Sequence, residues 1–431
     1  MKGGQWPLLL AFAVSEAFAQ APLLQDGATA LRQARLDWAQ GQRPLEPSSV
    51  PSLEVGWGGA GSDGLYAPLL DGEGMGHGSQ GWGLGLQGRY VRGGWSFAFT
   101  ALGLRDHGST RGTLHRAALA YQTESGWRVA LEQAPFDWGV SLLGGELLGA
   151  QTRAFPRLSL ITPEASILET TWRLETFIGR LESAAPIPQW AADRNAGLAA
   201  RTAGLVLTRP QLQGAMLRMQ AAGLLELGLG AISLEGETEP SGPRVKHTQA
   251  LVEAKVRIPL LAQTLHARGA TFQFSRSATP EGQALALNPA RNLANLQLVW
   301  DGWDVGAEYA GPARPVHPIS AGPFLQPTTL AGFSSHGDPL GDAYWRQAIT
   351  RTVALGTPFF LEGQSHVRLI RATASLDQPC GPAAWFLQVE AQWRTSNGRL
   401  GASLASLRQE PATQGPRWGW SFSIFQAFRV F

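Results

Sequence analysis

A chain of 431 residues accommodates about three ordinary domains of roughly 150 residues each, or one large barrel. Its charged fraction of 16%, against roughly 25% in soluble domains, favours the barrel, as do 52 glycines and 16 tryptophans. A hydrophobic fraction of 44% excludes a wholly disordered chain, and a net charge of +2 without a basic stripe excludes the usual nucleic-acid binder. The single cysteine, Cys380, excludes an intramolecular disulfide and a cysteine-cluster metal site.

The first nineteen residues have the form of an export signal: Lys2 supplies a minimal charged region, Trp6 to Val14 an apolar stretch, and Ala17-Phe18-Ala19 a cleavage site. The mature chain is expected to start at Gln20, and no cysteine follows the cut to carry a lipid anchor. Residues 20–50 hold one short helix that Asp26 can cap, with Leu31, Ala34 and Trp38 on one stripe and Gly41 and Pro44 to close it. That helix is expected at the periplasmic mouth of the barrel; the alternative is a leader that merely enters the first strand. A membrane-spanning helix needs about 20 apolar residues, and the best stretch, Ala215 to Leu234, is interrupted by Arg218, Glu226 and glycines.

From 51 to 431 the period is two. Leu168, Thr170, Trp172, Leu174, Thr176 and Ile178 alternate with Glu169, Thr171, Arg173 and Glu175; Trp385, Leu387, Val389, Ala391 and Trp393 alternate with Gln388, Glu390, Gln392 and Arg394. Tight turns are expected at Arg92-Gly93-Gly94, Thr123 to Gly126, Thr162-Pro163-Glu164, Arg209-Pro210, Pro259 to Ala262, Asp301-Gly302, Gly356-Thr357-Pro358 and Ser396-Asn397-Gly398. Long connections fall at 59–80, 105–112, 135–154, 182–200, 223–246, 277–289, 312–344, 373–383 and 409–415. Eight turns and nine loops join eighteen strands, the layout of a transmembrane antiparallel β-barrel with periplasmic turns and external loops. A soluble sandwich or propeller also alternates. Charges of both signs on one face, with Trp and Leu on the other, fit a wet lumen and a lipid-facing wall better.

Enzyme signatures are absent: no G-x-S-x-G elbow, H-E-x-x-H or P-loop occurs, and no G-x-G-x-x-G enters a helix, since Gly83-Leu84-Gly85 lies inside a strand pattern. The eight histidines never fall at paired metal-ligand spacing. Neither a cofactor nor a metal is expected, and the protein is read as non-enzymatic. Glu235, Glu237 and Glu239 alternate in the 223–246 connection, where they either hold divalent ions shared with lipopolysaccharide phosphates or form a solvated loop. Asp301 and Asp304 flank Gly302-Trp303; the Asp-Gly pair marks a hairpin turn more than an acid pair. The longest loop, 312–344, carries Arg314, His317, His336, Asp338, Asp342 and Tyr344 among prolines and glycines. Aromatic faces and charged donors and acceptors are what sugar rings require, so these six are the candidate glycan contacts. A lid folded over the mouth is the bland alternative.

Two stretches carry a resemblance. Gln151-Thr152-Arg153-Ala154-Phe155-Pro156-Arg157-Leu158-Ser159-Leu160 with Thr162-Pro163-Glu164, and His336-Gly337-Asp338-Pro339-Leu340-Gly341-Asp342, resemble the Wzi-like capsule assembly proteins of the bacterial outer membrane. The resemblance in layout covers nearly the whole mature chain, although the N-terminal helical part is shorter than the family's. It implies a monomeric eighteen-stranded barrel, closed by a periplasmic helical segment and external loops, that acts as a lectin anchoring capsular or extracellular polysaccharide without catalysis. Outer-membrane lipid and lipopolysaccharide are the surrounding partners, and no nucleic acid is involved. The runner-up is a porin for small solutes, since about sixteen or more strands enclose a water channel unless something fills it. Phe431 suits the aromatic ending of such barrels, but Trp418, Trp420, Phe422, Ile424 and Phe428 lie in the opposite phase, which suggests a bulge.

Overall fold

Lipid offers no hydrogen bonds, so strands can cross it only if every backbone N–H and C=O finds a partner within a sheet that closes on itself. In a computed structural model this is the arrangement. The structure describes residues 38–40, 52–63, 81–106, 109–134, 138–142, 155–181, 207–238, 244–278, 290–312, 334–335, 338–339, 349–359, 363–373, 383–395, 397–410 and 417–430. The strands are β1 (Ser52–Asp63), β2 (Gly81–Arg92), β3 (Trp95–Asp106), β4 (Ser109–Gln122), β5 (Arg128–Gln133), β6 (Pro156–Ile161), β7 (Ala165–Ile167), β8 (Thr170–Arg180), β9 (Leu207–Ala221), β10 (Leu225–Thr238) and β11 (Arg244–Arg257). They continue as β12 (Gly269–Ala278), β13 (Ala290–Val299), β14 (Asp304–Pro312), β15 (Ser334–Ser335), β16 (Asp338–Pro339), β17 (Ile349–Phe359), β18 (Gly363–Thr373), β19 (Ala383–Thr395), β20 (Gly398–Glu410) and β21 (Arg417–Arg429).

Each barrel strand pairs antiparallel with the next, and β1 pairs with β21 from Glu54↔Arg429 to Asp63↔Trp420, closing the ring. β6 and β7 both pair with β8 and are two pieces of one strand, while β15 and β16 pair only with each other. Eighteen barrel positions result among the described residues, as the sequence predicts.

Several boundaries move. Thr162-Pro163-Glu164 is not a turn but the break between β6 and β7; the hairpin comes at Leu168-Glu169, both with positive φ (48° and 63°). Neither is a glycine or asparagine, so the turn has no compositional signal. Arg209-Pro210 lies within β9, and its hairpin forms at Ala222–Leu224, where Gly223 has φ 65°. The 223–246 connection is mostly strand: β10 and β11 pair from Leu225↔Val256 to Glu237↔Arg244. The 105–112 loop shrinks to 107–108, because β3 and β4 remain paired to Asp106↔Ser109. Pro259 to Ala262 starts a six-residue helix, Pro259–Thr264, and Gly356-Thr357-Pro358 is part of β17. The suggested bulge near the C-terminus is absent: β21 pairs with both neighbours without a shift, and Phe431 lies outside the described residues.

The two faces part as the alternation requires. Leu131, Leu229, Phe274, Val353, Leu369 and Leu404 are exposed on the outside, while Glu253, Gln273, Arg368 and Gln388 face inward and are buried. A soluble sandwich would bury the apolar face, so its exposure on strand after strand marks a wall against lipid. Aromatic residues mark both rims. Trp82, Tyr309, Trp418 and Trp420 lie toward the loop end and Tyr90, Trp95, Tyr121, Trp127 and Trp303 toward the turn end, all exposed. No helix among the described residues is long and apolar enough to cross a membrane; the crossing is made by strands.

Val389 and Leu404 sit at the centres of β19 and β20 on the lipid face. Val389→Arg and Leu404→Arg are each expected to destabilise the barrel by about 2–4 kcal/mol, measured by urea titration of folding in lipid vesicles. Unchanged midpoints would mean that these residues do not face lipid. Gln388 is a poor lumenal control, although its lumenal position invites replacement by Arg. It is buried, accepts a hydrogen bond from Arg368 and donates to Glu390 Oε1 at 2.7 Å, so a second guanidinium there meets the first.

Candidate functional site

The inward faces of adjacent strands put charges of both signs within reach of one another. Arg218 on β9 lies among three carboxylates: its Nε is 3.3 Å from Glu253 Oε1 and 3.8 Å from Glu226 Oε1, and its Nη1 is 3.8 Å from Glu175 Oε2. Lys255 Nζ lies 2.7 Å from Glu226 Oε1. The cluster spans β8 to β11, and Glu253 within it has no solvent exposure. A second cluster gathers on β5 and β6, where Glu132 meets Arg128 and Arg157, each at 3.2 Å, and accepts a 2.7 Å bond from the Ser159 hydroxyl. Arg157 also donates to the Ala134 carbonyl at 2.6 Å, fixing the point where the chain leaves β5.

From there the chain enters the lumen. Trp138 is 1% exposed; its ring meets Phe177 of β8 edge-on at 5.3 Å, and its Nε1 donates to Glu175 Oε2 at 3.4 Å. Two residues on, the Val140 carbonyl accepts a 2.5 Å bond from Asn295 Nδ2 of β13, and Val140 packs with Leu293 and Ala310. Ser141 Oγ donates to Glu308 Oε1 at 3.0 Å and the Leu142 amide to Glu308 Oε2 at 2.5 Å. β14 stands six positions beyond β8 in the ring of eighteen, so residues 138–142 bridge two parts of the lumenal wall a third of the ring apart. Gly306 of β14 makes room: a Cβ there would lie 2.7 Å from Leu142 Cδ1.

The alternation does not reveal this segment, and β10 shows why. Leu225, Leu227 and Leu229 face lipid, while Leu212 and Met216 of β9 and Ile232 and Leu234 of β10 are buried on the lumenal side. Leu225, Leu227 and Leu229 alternate with Glu226, Gly228 and Gly230, but at Ile232 and Leu234 the apolar residues pass to the lumenal phase, so the pattern reverses within 223–246. That inner apolar patch contains Phe177, the ring against which Trp138 docks. Trp138 inside an otherwise ordinary connection is the one sequence signal available.

At the opposite end, residues 38–40 are helical, and Ala39 is buried. A Cβ on Gly269, at the turn end of β12, would come within 2.4 Å of the Ala39 carbonyl oxygen. This contact places the described part of the N-terminal helix at the turn-side mouth; residues 1–37 and 41–51, including the export signal, lie outside the described residues.

The sequence-selected residues are only partly placed. Arg314, His317, His336, Asp342 and Tyr344 lie outside the described residues, and Asp338 is described in backbone alone, paired with Ser335 in the β15–β16 hairpin. Glu235 and Glu237 belong to β10 instead of a loop, and Glu235 Oε1 is 3.2 Å from Lys246 Nζ; Glu239 is outside the described residues. Asp301 is an exposed turn residue bridged to Arg268, whereas Asp304 is buried in the wall, so the two form no acid pair.

No family model matches the sequence, and no curated protein matches it. Solved structures do. Wzi, an outer-membrane protein involved in group 1 capsule assembly in Escherichia coli and a carbohydrate-binding β-barrel, is similar with a TM-score of 0.60 at 14% identity, over 96% of this chain and 91% of that one. OccAB3 of Acinetobacter baumannii is similar at 0.53 and 11% identity (89% and 100%), and OccK10 (OpdN) of Pseudomonas aeruginosa at 0.52 and 11% (88% and 99%). The fold is that of the bacterial outer-membrane barrels, and the protein belongs in that membrane.

Removing Glu308 releases two anchors at once, so Glu308→Ala is expected to raise single-channel conductance in a planar bilayer, and Gly306→Leu, which displaces Leu142, to do the same. Equal conductance in both variants and wild type would show that 138–142 does not obstruct the bore. Arg218→Ala leaves Glu253 buried without its guanidinium and is expected to cost about 3–5 kcal/mol, with much of the loss recovered in Arg218→Ala/Glu253→Gln; urea titration in vesicles measures both.

Proposed function

We propose that this protein holds capsular or extracellular polysaccharide at the outer surface of the outer membrane and does not transform it. The observation that carries this reading is the peptide fixed within the bore, hydrogen-bonded to Glu175 on one part of the wall and to Asn295 and Glu308 on another. A barrel with its interior so occupied leaves the loop end as the working surface. That end bears the 312–344 connection with Arg314, His317, His336, Asp338, Asp342 and Tyr344, whose side-chain types suit sugar hydroxyls and ring faces. The similarity in fold to Wzi, a carbohydrate-binding barrel of capsule assembly, agrees with this reading. The protein acts as a monomer, with its long connections outside and its turns in the periplasm.

One observation favours a second reading, a porin for small solutes. The charged ladder of Arg218, Glu226, Glu253 and Lys255 lies beside the inserted segment, and a constriction flanked by opposite charges is how a pore selects solutes. The similarity to the Occ barrels fits it too.

Deleting 314–342 separates the two. A heat-modifiable barrel is expected to persist in the outer membrane while cell-associated glycan falls and glycan in the medium rises by a comparable amount, total glycan staying constant. Undiminished surface glycan with lost solute uptake would establish the porin, and altered chain length would reveal a hydrolase. Protease added to intact cells is expected to cut within 64–80, 182–200 or 313–344 and to spare Asp301-Gly302; cutting confined to the turns would reverse the topology.

A further inference from the structure

Among the described residues of the outward face, charge is confined to the rims and distributed unequally between them. Arg180 is the last residue of β8; Arg276, Arg371 and Arg408 lie two residues before the loop-side ends of β12, β18 and β20; Arg351 lies two residues after the loop-side start of β17. All five are exposed, and each shares its strand's lipid-facing phase with an exposed apolar residue: Ile178, Phe274, Leu369, Leu404 and Val353. Among the described residues of the turn-side strand ends, the outward face carries Arg92 at the end of β2 and, one residue before β12, Arg268, which is bridged to Asp301. Lys246 also points outward at the loop end, but Glu235 accompanies it at 3.2 Å.

Arginines at this level are costly beside hydrocarbon, and a few residues further into the connections they would be simply wet. Their place at the last outward positions of the strands is the level of lipid headgroups. Two are held in shape for it: the Arg371 guanidinium lies 4.9 Å over the Trp385 ring and that of Arg408 5.5 Å over Trp418. Stacking engages the face of a guanidinium, whereas its N–H edge is the part whose paired hydrogen bonds a phosphate accepts in bidentate fashion. Solvated chloride would satisfy the charge but not the planar fork.

We propose that Arg180, Arg276, Arg351, Arg371 and Arg408 form a belt that binds the phosphate groups of the glycolipid in the leaflet at the loop end, fixing the barrel's depth and orientation. The belt is independent of whether the lumen passes solutes or the loops hold glycan. Its partner is a membrane lipid and not a free anion, because the arginines continue an apolar wall that the acyl chains of the same lipid cover.

The test uses the folded full-length barrel in detergent, titrated with bis-phosphorylated lipid A or with the same lipid lacking both phosphates, and followed by native mass spectrometry. The phosphorylated lipid is expected to bind at least about tenfold tighter, and Arg371→Gln/Arg408→Gln to lose about tenfold. The fivefold Arg→Gln variant, checked by heat-modifiable migration, is expected to abolish the preference; the double variant decides if the fivefold one does not fold. Arg92→Gln is expected to bind as wild type does. Equal binding of the two lipids, wild-type binding by the double variant, or displacement of lipid A by equimolar inorganic phosphate would each overturn the proposal.

Discussion

The pairing of β1 with β21 between Glu54↔Arg429 and Asp63↔Trp420 is the contact on which the rest depends. Without it the sheet has two open edges, each a row of unpaired backbone donors and acceptors at several kcal/mol apiece in hydrocarbon. The two strands lie at opposite ends of the chain, so no local propensity creates this contact. It forms because sixteen intervening positions curve the sheet until its edges meet. Near the turn end Arg399 of β20 donates to Glu54 of β1 at 2.7 Å, across β21, adding a charge-assisted bond on the lumenal side of the seam.

Closure separates two environments with opposite demands. Outside, lipid admits only apolar side chains between the rims, and the wall complies with leucine, valine and phenylalanine at the strand centres. Inside, nothing so uniform is required. The lumenal wall can be charged, as at Arg218 and its three carboxylates, or apolar, as at Phe177, Leu212, Met216 and Ile232, according to what lies against it. The inserted residues 138–142 use both kinds of surface: Trp138 docks on the apolar patch, and Ser141 and Leu142 end on a carboxylate. Glu308, 5% exposed, has its charge satisfied by a hydroxyl and a backbone amide, which links the position of the segment to the stability of β14.

The rims then divide the labour. Aromatic residues mark both, since an amphipathic ring suits either interface. Among the described residues the outward arginines of the strands are concentrated at the loop end, with Arg92 alone at a turn-side strand end, so the barrel is chemically polar along its axis even though the strand pattern is nearly symmetric. The described helical turn at residues 38–40 meets Gly269 at the other end, and the two mouths are therefore finished by different means.

The sequence by itself determined the class and the face assignment, because both follow from alternation, and alternation is local: side chains on a strand point to opposite sides whatever the strand pairs with. The count of eighteen was reached because a turn expected at Arg209-Pro210, inside β9, made up for the unread β10. The alternation misled where the apolar phase changes sides within one strand, as at Ile232 and Leu234. β10 therefore reads as loop, and Glu235 and Glu237 as loop carboxylates. It also misplaced hairpins whose left-handed residues are Leu168, Glu169 and Ala222, since a turn enforced by the pairing of its flanking strands needs no glycine. Thr162-Pro163-Glu164 has turn composition, yet the ladder with β8 resumes beyond it at Ala165↔Trp172 and carries the chain on. What crosses the lumen was decided only by tertiary structure. Asn295 and Glu308 stand more than 150 residues from their partners in 138–142, and a polar residue facing a lumen has the same local sequence whether water or a peptide meets it.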